Sequence, residues 1–397
     1  MNLNNLNVPH NYKNIAEQYG TPLYIYDTER IKDNLSAILK FLTYQNSKVF
    51  FAVMCNNQPE ILKTIKNLGI GVQVNSENEL DLVKEAGFNI SDISFSSTGI
   101  SMELMKKLSK ENIEINFDSV EEVEKYCALN KNKTFGIRVR IPKRIKIISD
   151  EATNIYSHSN VGIEEKDFSK ITDIAEKTGN KTIGVHGYFA SNVFDEKPFI
   201  EFGNFLFKIA NNFPDLEYVN FGSGFGVRCK EKDKDFNFKK VLKHYSSLCN
   251  KLSRSFQRAI ILKIEPGRTL LADAGILLVK VTNIKKLSPK KSEISVNAGF
   301  AEFARPRVYN SYHIIDNLEK SGKPKKVYDI RGNTVLQNDF LGRDRKLEEV
   351  KEGEFLIVKN VGAYGIVMAS GFPGKKLPNQ ILISKSKIEK SEIEYNF

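Results

Sequence analysis

The chain has 397 residues, 41% of them apolar, and a net charge of +11, which is enough for a barrel with an added module. No segment approaches the about 18 uninterrupted apolar residues of a membrane span, and the opening MNLNNLNVPHNYKN has no apolar signal-peptide run. Four dispersed cysteines without CxxC and five histidines without HxH or HxxxH exclude a disulfide scaffold and a paired-ligand metal site, and fit the cytoplasm. Lysines alternate with glutamates, as in EKDFSKITDIAEK, a solvated-helix pattern that argues against nucleic acid as a partner.

TPLYIYD reads as a strand, followed by a helix over 28–43. Strand-like runs then recur at 48–53, 71–74, 92–97, 113–117, 135–141, 182–189, 216–221 and 259–265, with helical patterns between them. Ser76 with Glu79 and Ser119 with Glu122 form capping boxes, and KNLG and KEAG end on the glycine expected just past a helix. The longest irregular connection, 142–164, is polar. Eight strands in strict alternation with helices favour closure into a TIM-type α/β barrel over an open sheet. From about 270 on, ILLVKVTNIKKL, SEISVNA, KVYDIRG, EFLIVKNV, GIVMAS and QILISK read as strands without regular helices. The expected organisation is therefore an N-terminal strand (1–27) joining a β-rich domain (269–397), with the barrel over 28–268.

Barrel sites gather at the C-terminal ends of the strands. Those ends carry Met54, Asn75, Ser97, Asp118, Arg140, the run His186 to Asn192, the loop GSGFG (222–226), and Glu265 with Arg268. Glycines 222, 224 and 226 suit a phosphate cradle, although such loops often only turn the chain. Glu265 and Arg268, in EPGR, read either as a local ion pair or as an acid for a protonated ring nitrogen beside an anion-holding arginine. Arg305, Tyr309 and Tyr364 fall near glycines and prolines in expected loops of the second domain.

From GTPLYIYD to GAYG, roughly residues 20–385, the chain resembles the fold type III pyridoxal-phosphate decarboxylases. These are the diaminopimelate and ornithine/arginine decarboxylases, which share an alanine racemase-like barrel. The matching pieces are GSGFG against GGGFG, EPGR and GAYG unchanged, ARPRVY against R-P-x-x-Y, and NDFLGRD against (S/G)-x-D-x-L. The resemblance implies that Gly222, Gly224 and Gly226, with Gly267, Arg268 and Tyr364, hold the cofactor phosphate. It implies that Glu265 keeps the pyridine nitrogen protonated and that Ser191 lies beside the cofactor. Arg268, Arg305 and Tyr309 would take the substrate carboxylate, and active sites would be shared across a homodimer.

Three positions depart from the family. Its first strand ends Y-A-V-K-(A/C)-N, whereas this one reads FAVMCN, with Met54 at the position of the cofactor-bearing lysine. A thioether packs; it neither attacks nor carries a proton. The family's second histidine in H-x-H, which stacks on the ring, is Tyr188, and its cysteine–acidic pair aligns with Val335 and Leu336. The expected function is pyridoxal-phosphate binding without a covalent link and carboxy-lyase chemistry on a small amino acid. The alternatives are a catalytically silent relative that binds the cofactor or a small anion and regulates a partner, and a surrogate lysine at Lys263, two residues before Glu265.

Overall fold

The structure, a computed structural model, describes residues 11–145, 160–230, 232–319, 321–385 and 388–390. The middle of the 142–164 connection lies outside the described residues. Two units emerge: a barrel unit, Leu35–Gly226 with Phe236–Gly267, and a β-rich unit, Met1–Asn34 with Val227–Asp235 and Arg268–Phe397.

Helix α1 (Tyr12–Tyr19), strand β1 (Leu23–Asp27) and helix α2 (Thr28–Leu39) come first. The barrel strands follow: β2 (Ser47–Ala52), β3 (Gly71–Val74), β4 (Ile93–Ser96), β5 (Glu114–Phe117), β6 (Thr134–Arg138), β7 (Lys181–His186), β8 (Tyr218–Asn220) and β9 (Ile261–Ile264). They pair in parallel in chain order, and β9 closes on β2. Between them run α3 (Pro59–Asn67), α4 (Glu77–Glu85), α5 (Met102–Lys110), α6 (Val120–Leu129), α7 (Phe168–Lys177), α8 (Lys197–Ala210) and α9 (Phe238–Ser255). Both capping serines work as their spacing predicts, with Ser76 Oγ accepting from Glu79 N and Ser119 Oγ from Glu122 N. The two glutamates reach one residue further back than the box requires, to the backbone N–H groups of Asn75 and Asp118. This pins each strand end to the helix that follows it.

The barrel's interior is filled and partly polar. Tyr218 donates to Asn116 Oδ1 (2.8 Å), whose amide donates to Ser94 Oγ (3.2 Å). A side chain at Gly136 or Gly184 would collide with the Tyr218 ring, so both strands need glycine there. Lys263 Nζ sits 3.6 Å from the centre of that ring and pairs with Glu114 at the start of β5. The first barrel strand ends earlier than its apolar run predicts: Val53–Cys55 forms a 3-10 turn, so Met54 belongs to the turn.

The β-rich unit adds β10 (Gly275–Ser288), β11 (Lys291–Val296), β12 (Ile315–Asn317), β13 (Lys326–Arg331), β14 (Phe340–Leu347), β15 (Phe355–Lys359), β16 (Asn379–Ile383) and β17 (Ile388–Lys390). Strand β1 lies between β10, antiparallel, and β16, parallel. Alternate residues Leu23, Ile25, Ile276, Leu278, Ile381 and Ile383 bury one face of this sheet. Burial contributes about 1.5–3 kcal/mol for each side chain that leaves water. GIVMAS, which reads as a strand, instead makes a 3-10 turn over Ile366–Met368. ARPRVY, expected in a loop, forms helix α11 (Arg305–Tyr309) with its proline near the N-terminus, where no N–H is missed; a one-turn helix, α10 (Arg268–Leu271), precedes β10.

Candidate active site

In the barrel unit the chemistry gathers around Glu265, one residue past the end of β9. It is 7% exposed, yet its carboxylate is fully engaged: Asn220 Nδ2 donates to Oε1 at 2.7 Å, and Oε2 meets His186 Nε2 at 3.1 Å. Burial alone would push this carboxyl up. Attraction to His186, the hydrogen bonds from His186 and Asn220, and the Arg138 charge outweigh it, so the net shift is downward. The group is therefore held as an anion, and Nε2 of His186 carries the donated hydrogen. Each carboxylate oxygen keeps a lone pair for one further donor.

The glycine turn is tied to that acid. The Glu265 N–H donates to Gly222 O (2.8 Å), and Gly222 N donates to Asn220 Oδ1 (3.0 Å). Asn220 thus links turn and carboxylate through one side chain, a role that its place in the run LEYVNF did not single out. Its position at the very end of an inward-facing strand was the available signal. Gly222 and Gly224 have φ of +57° and +105°. A Cβ at Gly222 would come within 2.5 Å of Gly187 O, and one at Gly224 would strike Ala190 O. These close approaches press the turn against the segment that carries Tyr188 and Ser191. The Tyr188 ring comes within 3.4 Å of where a Gly222 Cβ would lie. The N–H groups of Gly222, Gly224 and Gly226 are taken by Asn220 Oδ1, Ser223 Oγ and Val193 O. The glycines therefore act by letting backbones meet.

Gly267 packs on the other side of the mouth, where a Cβ would lie 2.9 Å from Cys55 Cβ and 3.2 Å from Ala52 Cβ. That places it against the turn holding Met54, whose side chain is 47% exposed. Lys263 is committed elsewhere. Burial pushes its ammonium pKa down, the Glu114 carboxylate opposes this, and the ion pair is with Glu114, where simple strand geometry suggested Glu265.

In the β-rich unit the structure brings the other expected residues together. The Arg268 guanidinium lies 5.2 Å from the Tyr364 ring, and that of Arg305 lies 5.4 Å from Tyr309 and 5.9 Å from Tyr364. Tyr364 adopts a left-handed backbone (φ +55°), uncommon without glycine. Arg305 is 2% exposed. Beneath this cluster His313 was not anticipated. Burial first, then the charge of Arg305, drives its pKa down to about 3, so it is neutral. Its Nδ1 donates to Lys359 O, and its Nε2 accepts from Ser311, both at 3.0 Å.

An anionic carboxylate deep in a barrel mouth, a tight glycine turn bonded to it and an aromatic ring alongside suit a phosphorylated, protonated pyridine. The acid and the ring fit that group; position 54 offers no amine, and the three glycine N–H groups are engaged within the protein. Comparisons agree with this chemistry. The family model "Pyridoxal-dependent decarboxylase, pyridoxal binding domain" matches residues 28–272. The diaminopimelate decarboxylase of Aquifex aeolicus is 30% identical over 389 residues, covering 95% of this chain and 90% of the relative. That of Bacteroides thetaiotaomicron is 30% identical over 370 residues, covering 90% and 94%. The crystal structure of diaminopimelate decarboxylase from Methanocaldococcus jannaschii superposes with a TM-score of 0.87 at 26% identity, covering 96% of this chain and 92% of that one. With a barrel, an acid and a glycine turn arranged in this way, and a family model spanning well over half its length, this chain belongs to the pyridoxal-dependent decarboxylases of fold type III.

Proposed function

We propose that the protein binds pyridoxal phosphate without a covalent bond and acts as a carboxy-lyase on a small amino acid. The observation that carries this reading is the tie between Glu265 and Gly222: acid and turn share a backbone hydrogen bond of 2.8 Å and the bridging side chain of Asn220. Bound there, the cofactor supplies an electron sink that lets an amino acid lose its carboxyl group as carbon dioxide. The protein's part is electrostatic and positional. Glu265, held ionised by His186 and Asn220, accepts the ring N–H. Tyr188 offers an aromatic face in place of an imidazole. Ser191 and the glycine turn, with Gly267, Arg268 and Tyr364, serve the phosphate. Arg268, Arg305 and Tyr309 take the substrate carboxylate.

Met54 can only pack. Lys263 is a poor stand-in on chemical grounds, since its ammonium is buried and paired with Glu114. Val335, 93% exposed, stands on a loop pinned by fully buried Asp339, which accepts from Phe300 N and from both the N–H and the hydroxyl of Thr334. A large apolar side chain held in water by a rigid loop supports a homodimer in which Val335 and Leu336 meet the second copy. An apolar pair there favours a substrate without a distal ammonium, unlike diaminopimelate.

The exposed thioether of Met54 also favours a second reading, a catalytically silent relative that keeps the cofactor site for regulation. One experiment separates the two. The purified protein is loaded with pyridoxal phosphate, its spectrum recorded, a sample reduced with borohydride and weighed intact, and amino acids screened for carbon dioxide release. Release with no covalent adduct supports the enzyme; a bound cofactor with no release supports the silent relative. An adduct mapped to Lys263 overturns non-covalent binding, and no bound cofactor overturns both.

A further inference from the structure

A second concave region lies wholly within the β-rich unit. It encloses about 1170 Å³, and Arg268, Arg305, Tyr309 and Tyr364 are not among the residues that line it. Seven lysine and arginine side chains face it against two carboxylates, Asp316 and Asp344. Both acids have a partner outside the wall: Asp344 pairs at 2.7 Å with Lys291, which it shares with Asp329, and Asp316 pairs with Lys359 at 2.8 Å. Arg307, Lys325, Arg343, Arg345 and Lys346 form no ion pair among the described residues. Seven cations against two acids leave an excess of positive charge that an anion from solution would offset.

The backbone has been bent to make this wall. In a regular strand successive side chains alternate between faces, yet every residue from Gly342 to Lys346 lines the cavity. The cause is a β-bulge. Tyr328 pairs with Arg345 but Ile330 pairs with Gly342, so two residues of β14 oppose the single Asp329. Asp344 takes up the extra length with φ +53°, and its N–H donates to Asp329 Oδ1 at 2.9 Å. Bulges and left-handed non-glycine residues concentrate where a side chain must be re-aimed for function. Here the re-aimed groups are guanidiniums with stacked faces: Arg345 lies 3.7 Å from the Tyr312 ring and Arg343 lies 3.8 Å from Phe340. Stacking fixes the plane and leaves the N–H edges to bind. Nε of Arg345 is buried against Gly342 with no hydrogen-bond partner.

We propose that this cavity is a binding site for a small anion carrying two or more phosphoryl groups. A monocarboxylate offers too little charge for five unpaired cations. Several adjacent phosphoryl oxygens match planar guanidinium forks and point-charge lysines together. The volume, about 1170 Å³, lies just above the about 300–1,000 Å³ usual for small-molecule sites and leaves room for a polyphosphate.

The test is isothermal titration of the full-length protein with tripolyphosphate, with sulfate at equal ionic strength as control. R343Q/R345Q/K346Q is run alongside the wild type. Saturable binding in the wild type, weakened about a hundredfold or more in the triple variant, is expected, since each lost charge-assisted contact costs on the order of tenfold. Arg307→Gln and Lys325→Gln, both at exposed positions, should each weaken it by about tenfold and serve if the triple variant does not fold. Magnesium-free ATP separates the two sources of the anion: equal affinity indicates a free polyphosphate, and tighter binding a nucleotide whose base reaches Tyr312. Binding no tighter than sulfate, or unaltered by the substitutions, overturns the proposal. So does a triple variant that changes the chain's mass by light scattering while its tripolyphosphate affinity stays the same, because the charges would then serve contact between copies.

Discussion

Replacing Glu265 probes the site at its electrostatic centre. The carboxylate is the acceptor for two donors that have no access to water, since His186 is 2% exposed and Asn220 is fully buried. Glu265→Ala removes both acceptors. Each of the two stranded buried donors costs about 1–3 kcal/mol, so a total of about 2–6 kcal/mol is expected. Glu265→Gln keeps the shape and one oxygen, but its amide faces a donor, so about 1–3 kcal/mol should be lost. Denaturant unfolding of the cofactor-free proteins measures this, and a total stability of about 5–15 kcal/mol makes either change easy to read. The carboxyl's depressed pKa fixes the sign of the pH effect. Its stabilisation is complete above the unfolded carboxyl range and is lost as pH falls through the lower folded value, so the Gln variant should show a shallower acid limb. Cofactor affinity should drop by at least about tenfold in both variants, because an amide cannot balance a protonated ring nitrogen. An Ala variant within about 0.5 kcal/mol of wild type would refute the hydrogen-bond argument. A Gln variant that binds pyridoxal phosphate normally would refute the role given to the acid.

Gly224→Ala places a methyl against Ala190 O at a backbone angle that side chains avoid. About 1–3 kcal/mol of strain should weaken cofactor binding by tenfold or more, as read from spectral titration, and unchanged affinity would show that the turn can shift freely. Met54→Lys introduces an amine at a half-exposed position. Stability should move by less than about 1 kcal/mol. Borohydride reduction of the loaded variant should give a covalent adduct at residue 54, and absence of the adduct would show that the site has drifted from the family's geometry. His313, with its pKa depressed to about 3, stays neutral in the fold while the unfolded chain takes up a proton below its ordinary 6.5. Stability should therefore fall between these values, by about 2 kcal/mol at pH 5 relative to pH 7. His313→Gln should lack that component in pH-dependent unfolding, and parallel pH profiles would mean the histidine is not held neutral.

Much of the architecture was legible because it follows from local rules. Apolar runs of strand length spaced by amphipathic helices lead to eight parallel strands. Ser76 and Ser119 announced two helix starts, and GSGFG and Glu265 marked the end of the barrel where acid and turn meet. The limits were also physical. Strand β2 stops at Ala52 because the chain turns into a 3-10 segment, which periodicity cannot separate from one more strand residue. GIVMAS has the composition of a strand, but among the described residues no neighbouring strand takes its hydrogen bonds.

Residue identity alone determined that position 54 lacks an amine, that an acid and a glycine turn lie close along the chain, and that the surface is basic. Folding decided what those residues do. Whether Glu265 is charged depends on His186 and Asn220, which arrive from two other strands and offset its desolvation. Whether Lys263 is available depends on Glu114, 149 residues away in sequence. Whether Arg343, Arg345 and Lys346 all line one cavity depends on a bulge visible only in the pairing of β13 with β14. Hydrogen bonds and Coulomb forces act over a few ångströms, so contacts between distant residues exist only once the chain has closed.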